Sequence, residues 1–237
     1  EGLLKKILRK LARKEAEGGL QIPLRIGVSD IADYIGQPRF REQAIKQGVG
    51  LATGRAWTAM GGTTLTLEAT IAHRDRRGMK VTGQLGKVMQ ESAEIAYSYI
   101  TANLDRFGAQ ADFFDKAFVH LHVPEGAVPK DGPSAGIAIA TALLSLALGR
   151  APERIAMTGE VTLVGDVLPI GGEREKLLAA KRLGIAEVIL PAANEVDVDE
   201  LPEAVCEGLQ VHYARHFKDV ARLMFGVRMR PERRKKN

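Results

Sequence analysis

One serine, one lysine and two histidines sit in settings that suit chemistry. Ser134 lies in Gly132-Pro133-Ser134-Ala135-Gly136, where a charged loop runs into an uncharged segment reaching Gly149. Glycine followed by proline at the first helical position makes a good helix start. Ser134 then falls in the first turn, whose backbone N–H groups have no partner within the helix. Those amides and the positive helix end suit an oxyanion formed when a serine hydroxyl attacks a carbonyl. They suit a bound phosphate equally. A first turn that merely contains a serine is the plainest reading, and the local residues do not separate the three.

A nucleophilic serine needs a base. His120 and His122 are two apart in 117-AFVHLHV-123, so on a strand both face away from Val119, Leu121 and Val123. They would serve a Ser-His arrangement or two-thirds of a zinc site, but neither has a third group at a diagnostic spacing, and two surface histidines remain the plainer account. Lys176 is the other candidate. In 173-EREKLLAAKRLG-184 it shares a face with Ala179, Ala180 and Leu183, while Arg174, Glu175, Lys181 and Arg182 lie opposite. Burial disfavours an ammonium, and a neutral amine is a competent base for a hydroxyl. The bland alternative is a lysine that snorkels from the core edge.

These residues need elements to hold them. The apolar spacing predicts a helix over 3–14 ended by Gly18-Gly19, then a linker with a boundary between 18 and 40, in which Ser29 caps a short helix ending near Gly36. Strands are expected at 55–60 and 63–71 with Gly61-Gly62 as the hairpin turn. A strand near 79–82, a helix over 86–106, the strand 117–123 and an apolar helix over 134–148 follow. Then come strands at 154–158 and 161–168, a helix over 173–183, the strand 187–190, a short helix after Pro202, the strand 209–214 and a helix over 216–225. Alternating strands and helices with interposed hairpins indicate an α/β or α+β domain with a mixed sheet and packed helices.

Composition narrows the class. With 237 residues, 45% of them hydrophobic and 27% charged, the chain has the make-up of a globular protein able to bury a sizeable core. The longest uncharged run, Gly132 to Gly149, is broken by Gly, Pro, Ser and Thr, which argues against a membrane span. The first residues lack a signal-peptide pattern, and the single cysteine, Cys206, excludes an internal disulfide framework and a thiolate cluster. A reducing compartment is expected, a bacterial cytosol in preference to a mitochondrial matrix. Of the basic residues behind the net charge of +5, six lie in 5–14 and six in 226–237. No aromatics interleave with them, so DNA binding has charge in its favour but no stacking surface.

The arrangement resembles the Ser-Lys dyad of the ATP-dependent Lon proteases. The motif Lys130-Asp131-Gly132-Pro133-Ser134-Ala135-Gly136 carries the resemblance, with Lys176 following 42 residues after the serine (176 − 134). It extends through 53-TGRAWT-58, 86-GKVMQES-92, 120-HLHVPEGAVPKDGPSAG-136, 156-AMTGEVTL-163 and 167-VLPIGGEREKLLAA-180, over roughly residues 42–226. The resemblance implies the Lon protease domain fold and a serine endopeptidase, with Ser134 as nucleophile and Lys176 as general base. It also implies that Thr158 holds the lysine amine, and that Asp131 modulates or blocks the site, with Gly132 supporting the serine turn. Residues 1–40 then read as the end of an AAA+ small helical subdomain and its linker, 41–226 as the protease domain, and 227–237 as a basic disordered tail.

The chain has no G-x-x-x-x-G-K-[ST] loop and no acidic Mg²⁺ motif, so no cofactor or metal is expected here, and ATP and Mg²⁺ belong to the full-length protein. A hexameric ring acting on unfolded polypeptides is a further implication. At Leu4 the chain departs from an arginine that the family often uses to sense nucleotide, counting from Gly2. Two rivals stand beside this reading. A GHMP-type kinase would need a Gly-Leu-Gly-Ser-Ser-like phosphate loop, whereas Pro133 removes an N–H donor and Lys176 goes unexplained. A catalytically dead Lon-like scaffold, as in some recombination proteins, would have no use for both Ser134 and Lys176.

Overall fold

The computed structural model describes residues 2–19, 23–36, 46–58, 61–124, 130–182 and 184–231, with the side chains of 55–58, 61–63 and 182 left aside. It forms two compact units, Glu1–Gln43 and Ala44–Asn237. The first holds helix α1 (Gly2–Ala16), a 3₁₀ turn (Val28–Asp30) and helix α2 (Ile31–Ile35). Leu3, Leu4 and Leu8 on the apolar stripe of α1 stay exposed. Ser29 does not cap α2; it lies inside the 3₁₀ turn, where Gly27 starts the helical run and donates its N–H to Asp30 Oδ2 at 2.8 Å. The nearer carboxylate satisfies the free amide, which leaves the serine hydroxyl to Asp30 Oδ1.

The second unit is built on a seven-stranded mixed sheet. Its strands are β1 (Leu51–Thr58), β2 (Gly61–Arg74), β3 (Gly78–Thr82), β4 (Ala117–His122), β5 (Ala156–Met157), β8 (Glu187–Pro191) and β9 (Gln210–Ala214), in the order β3-β4-β2-β1-β5-β8-β9. β1, β2 and β4 pair antiparallel, whereas β3 lies parallel to β4, and β1, β5, β8 and β9 run parallel. β6 (Glu160–Val161) and β7 (Val167–Leu168) form a separate small hairpin. The single strand expected over 161–168 is therefore that hairpin, turned by Gly165 in a left-handed conformation (φ 93°).

Gly61 and Gly62 are not the turn between β1 and β2. They pair with Thr58 and Trp57 as the first residues of β2, and residues 59–60 lie outside the described residues. The register is set further along the strand, where Leu65, Leu67 and Ala69 point inward; a slip of one residue would turn all three outward.

Helices cover both faces of the parallel half. Helices α3 (Lys87–Asn103), α4 (Gly136–Leu148) and α8 (Phe217–Phe225) pack on one side with Leu67, Val119, Leu121, Met157 and Ile189. On the other side Leu177 and Ala180 of α5 (Glu173–Arg182) meet Val198 of α6 (Glu195–Asp199), Val205 of α7 (Glu203–Cys206), and Ala156, Val188 and Leu190. Neighbours on β5 and β8 thus divide between two cores, which is why these strands read as apolar runs without alternation. In the antiparallel half β4 alternates cleanly between buried and half-buried residues.

α4 is the central post. Every residue from Gly136 to Ser145 is buried, as an all-apolar helix requires. Its two polar interruptions are bonded: Thr141 Oγ1 donates to the Ile137 carbonyl, and Ser145 Oγ accepts the Gly50 N–H at 2.9 Å. Of the tail assigned to 227–237, residues 227–231 are held on the domain, where Arg230 and Arg106 exchange hydrogen bonds of 2.8 and 3.0 Å; the rest lies outside the described residues. Among the described residues no helix is long and apolar enough to cross a membrane.

Candidate active site

The turn carrying Ser134 is 3₁₀ over Pro133–Ala135, and α4 proper begins at Gly136. The residue before it, Gly132, has φ 114° and ψ 156°, a region essentially closed to side-chain-bearing residues. That conformation turns the chain out of the loop and into the helix, leaving Ser134 half-buried. Asp131 anchors the loop on its other side. Gly86 ends the approach to α3 without a capping side chain, and Asp131 Oδ1 supplies the missing acceptor to the Met89 N–H at 2.9 Å. The same oxygen takes the Gly132 N–H at 2.9 Å. Only glycine permits this approach, since a Cβ at Gly86 would lie 2.2 Å from Asp131 Cγ. Ser92, one turn further along α3, donates to the Pro133 carbonyl at 3.3 Å.

On the opposite side of the serine turn runs the segment leaving β5. Its ladder continues one residue into Thr158, whose N–H reaches the Ile189 carbonyl of β8 at 3.1 Å. Thr158 and Gly159 then grip the serine turn. The Gly159 N–H donates to the Ser134 carbonyl at 2.8 Å, the Thr158 hydroxyl donates to the same carbonyl at 3.1 Å, and Ile137 N–H returns to the Gly159 carbonyl at 3.0 Å. Thr158 is fully buried, and its oxygen also accepts from Lys176 Nζ at 3.2 Å. Lys176 itself is only 2% exposed, with Ala179 and Ala180 buried beside it; Leu183 falls outside the described residues.

The structure therefore brings Ser134, Thr158 and Lys176 together: one hydroxyl joins the lysine amine to the backbone of the serine. Asp131 and Gly132 lie at the mouth of the same turn, with the Asp131 carboxylate committed to the start of α3. The two histidines stand apart. Thr82 Oγ1 lies 2.8 Å from His120 Nε2 and 2.7 Å from His122 Nδ1, on the half-buried side of β4 away from Val119 and Leu121. Among the described residues no group of three or more His, Cys, Asp or Glu is placed to hold a metal ion.

Sequence reasoning missed two residues of the site. Ser92 was legible as a polar residue on the apolar face of its helix, without indicating what it would bond. Asn194, in the 3₁₀ turn Ala192–Asn194 after β8, carried no signal, yet it is 1% exposed and bonds the segment leading into α5. The side chain of Trp57 lies outside the described residues.

This arrangement can be set beside known proteins. Residues 25–226 match the family described as the Lon protease (S16) C-terminal proteolytic domain. The chain is 55% identical over 234 residues to Lon protease 2 of Hydrogenovibrio crunogenus, covering 98% of this chain and 26% of that protein. It is 50% identical over 228 residues to Lon protease 1 of Syntrophotalea carbinolica, covering 95% and 28%. With the mitochondrial Lon protease homolog of Rattus norvegicus it shares 45% identity over 240 residues, covering 97% and 25%. The chain thus spans about a quarter of the length of these relatives.

Proposed function

The chain belongs to the family of Lon protease (S16) C-terminal proteolytic domains, and from that premise we propose that it is a serine endopeptidase working through Ser134 and Lys176. The observation that carries the reading is the buried Lys176 amine, hydrogen-bonded to the Thr158 hydroxyl that in turn donates to the Ser134 carbonyl. A scaffold gains nothing from burying an amine beside a half-exposed serine. Burial opposes the ammonium form, and the free amine is the form a base requires.

Ser134 Oγ attacks the peptide carbonyl carbon while Lys176 Nζ takes its proton. Amides of the serine turn beyond Pro133 hold the oxyanion. The C–N bond breaks as the lysine returns the proton to the leaving nitrogen, and an acyl-enzyme remains. Water, deprotonated by the same amine, then releases the acid product. Thr158 keeps the amine pointed at the serine, and Asp131 sets the loop by holding the start of α3. Were Asp131 to leave that post it would enter the site and block it.

Substrates on this reading are unfolded or damaged polypeptides, bound as extended strands. A pairing edge is at hand in β1, which meets β5 at Gly54 alone among the described residues and continues to Thr58. In the parent protein, ATP and Mg²⁺ serve an AAA+ module that feeds a homohexameric ring in the cytoplasm. DNA contact would rest on the basic clusters alone.

The test is hydrolysis of an unstructured fluorogenic peptide without ATP by the parent chain, Ser134→Ala and Lys176→Ala. Both substitutions are expected to abolish cleavage, and a pH–rate profile of the parent should rise along a limb set by the lysine. Cleavage left unchanged by both substitutions would overturn the mechanism.

A further inference from the structure

Lys176 reaches Thr158 from the first turn of α5, and α5 follows a weak joint. The connection from β7 is Pro169-Ile170-Gly171-Gly172, and paired glycines fix a helix start poorly because they resist few backbone rotations. The Asn194 side chain bridges this joint. Its Oδ1 accepts the Ile170 N–H at 3.0 Å and its Nδ2 donates to the Ile170 carbonyl at 2.9 Å. This two-bond ring clamps the backbone just before the glycines and determines which way the amide faces. The same Nδ2 lies 2.8 Å from Glu173 Oε1, on the first residue of α5 just after the glycines. It also lies 2.8 Å from Asp197 Oδ2 on α6, so two hydrogens serve three acceptors and one is shared.

Asn194 is rooted at the carboxyl end of β8, next to the strand end that carries Thr158; the Thr158 N–H is bonded to Ile189 of β8. The lysine and its acceptor therefore share one rigid reference, the β5–β8 pair. Glu173 and Lys176 are three apart, on one side of α5, so restraining the first restrains the second.

We propose that Asn194 is a positioning residue for the Lys176 amine, locking the start of α5 across the Gly171-Gly172 joint so that the amine stays on Thr158. The proposal rests on the dyad reading above. Asn194 touches no reacting atom; it acts through the helix. Displacement of a catalytic group by about 1 Å can cost about a hundredfold in rate.

The experiment measures peptide hydrolysis by the chain with active serines counted by a fluorophosphonate, so that rates are per titrated site. Asn194→Ala is expected to lower kcat per site by about a hundredfold with KM within about twofold of the parent. Glu173→Ala cuts only the grip beyond the glycines, at a half-buried position that does not endanger folding, and is expected to cost about tenfold. Glu173→Gln keeps the acceptor oxygen and should restore most of that loss. If Asn194→Ala and Glu173→Ala keep the parental kcat per site, whatever happens to the melting temperature, Asn194 is only a structural bond and the proposal fails alone. If Lys176→Ala cleaves as fast as the parent, the dyad and this proposal fall together.

Discussion

Thr158→Val is the sharpest perturbation the site allows, because valine matches threonine in shape and removes only the hydroxyl. Thr158 is fully buried, so no bulk solvent replaces what is lost. The Ser134 carbonyl keeps its 2.8 Å bond from the Gly159 N–H, so the serine turn should hold its place. The loss falls instead on Lys176, whose 3.2 Å acceptor disappears. A buried polar group deprived of a partner costs about 1–3 kcal/mol. If the whole cost is felt in the transition state, acylation of Ser134 slows by about 5- to 150-fold, at about 1.36 kcal/mol per factor of ten. The assay is single-turnover acylation by an activated nitrophenyl ester under excess reagent, read from the nitrophenolate released as the acyl-enzyme forms, with denaturant unfolding in parallel to apportion the cost between ground and transition states. Thr158→Ser retains the hydroxyl and should acylate within a few-fold of the parent, at some expense of stability from the lost methyl. Acylation of the valine variant at the parental rate would show that the hydroxyl does not hold the base, and the link from Lys176 to Ser134 would lose its meaning.

Two further outcomes follow from the geometry. Asp131→Ala removes the acceptor for the Met89 N–H at the start of α3, and should lower the unfolding free energy by about 1 kcal/mol while slowing acylation; Asp131→Asn keeps Oδ1 and should recover most of both, as denaturant unfolding and acylation will tell. His216 accepts the Lys218 N–H through Nδ1, and its Nε2 lies 3.1 Å from the Val164 carbonyl. Burial, helped by the nearby Lys218 charge, holds its imidazole below the usual value of 6.5, against smaller opposing pulls from Val164, Asp166 and Asp219. The folded protein thus prefers neutral His216, so its contribution is complete above the unfolded value and is lost as pH falls through the lower, folded one. Urea unfolding at about pH 8 and about pH 5.5 should show the parent losing more stability on acidification than His216→Gln, and equal losses would refute the assignment.

Much of the architecture was legible from period alone. The i, i+3, i+4 spacing put Lys176 on one face with Ala179 and Ala180, and the structure buries all three, deciding against a lysine that snorkels; the alternation in 117–123 foretold that His120 and His122 would face away from the core. The errors cluster where one local signal competes with a distant one. Gly61-Gly62 looked like a turn, but both pair with β1 as the first residues of β2, in the register that keeps Leu65 and Leu67 inward. Ser29 looked like a cap, but Asp30 was the better-placed acceptor. In α3, Val88 fits the apolar spacing yet is 45% exposed, while Ala93 and Tyr99 are buried, because the helix meets α4 and the serine turn along a line that spacing alone does not choose.

By itself the chain of residues determined that a helix begins at the Ser134 turn and that one lysine lies on an apolar face. Gly132 and Pro133 act on their own dihedral angles, and a stripe is a property of one helix. It could not determine that the lysine meets Thr158, that Asp131 holds the start of α3, or that Asn194 spans the glycines before α5. Those partners stand 18, 42 and 24 residues apart, counted from Lys176 to Thr158, from Asp131 to Met89 and from Asn194 to Ile170. Hydrophobic period records which side of an element is turned inward and nothing about its neighbour. Only the insertion of β5 between β1 and β8, with α4 buried against them, places a hydroxyl, an amine and a serine carbonyl within hydrogen-bonding distance in one chain of contacts.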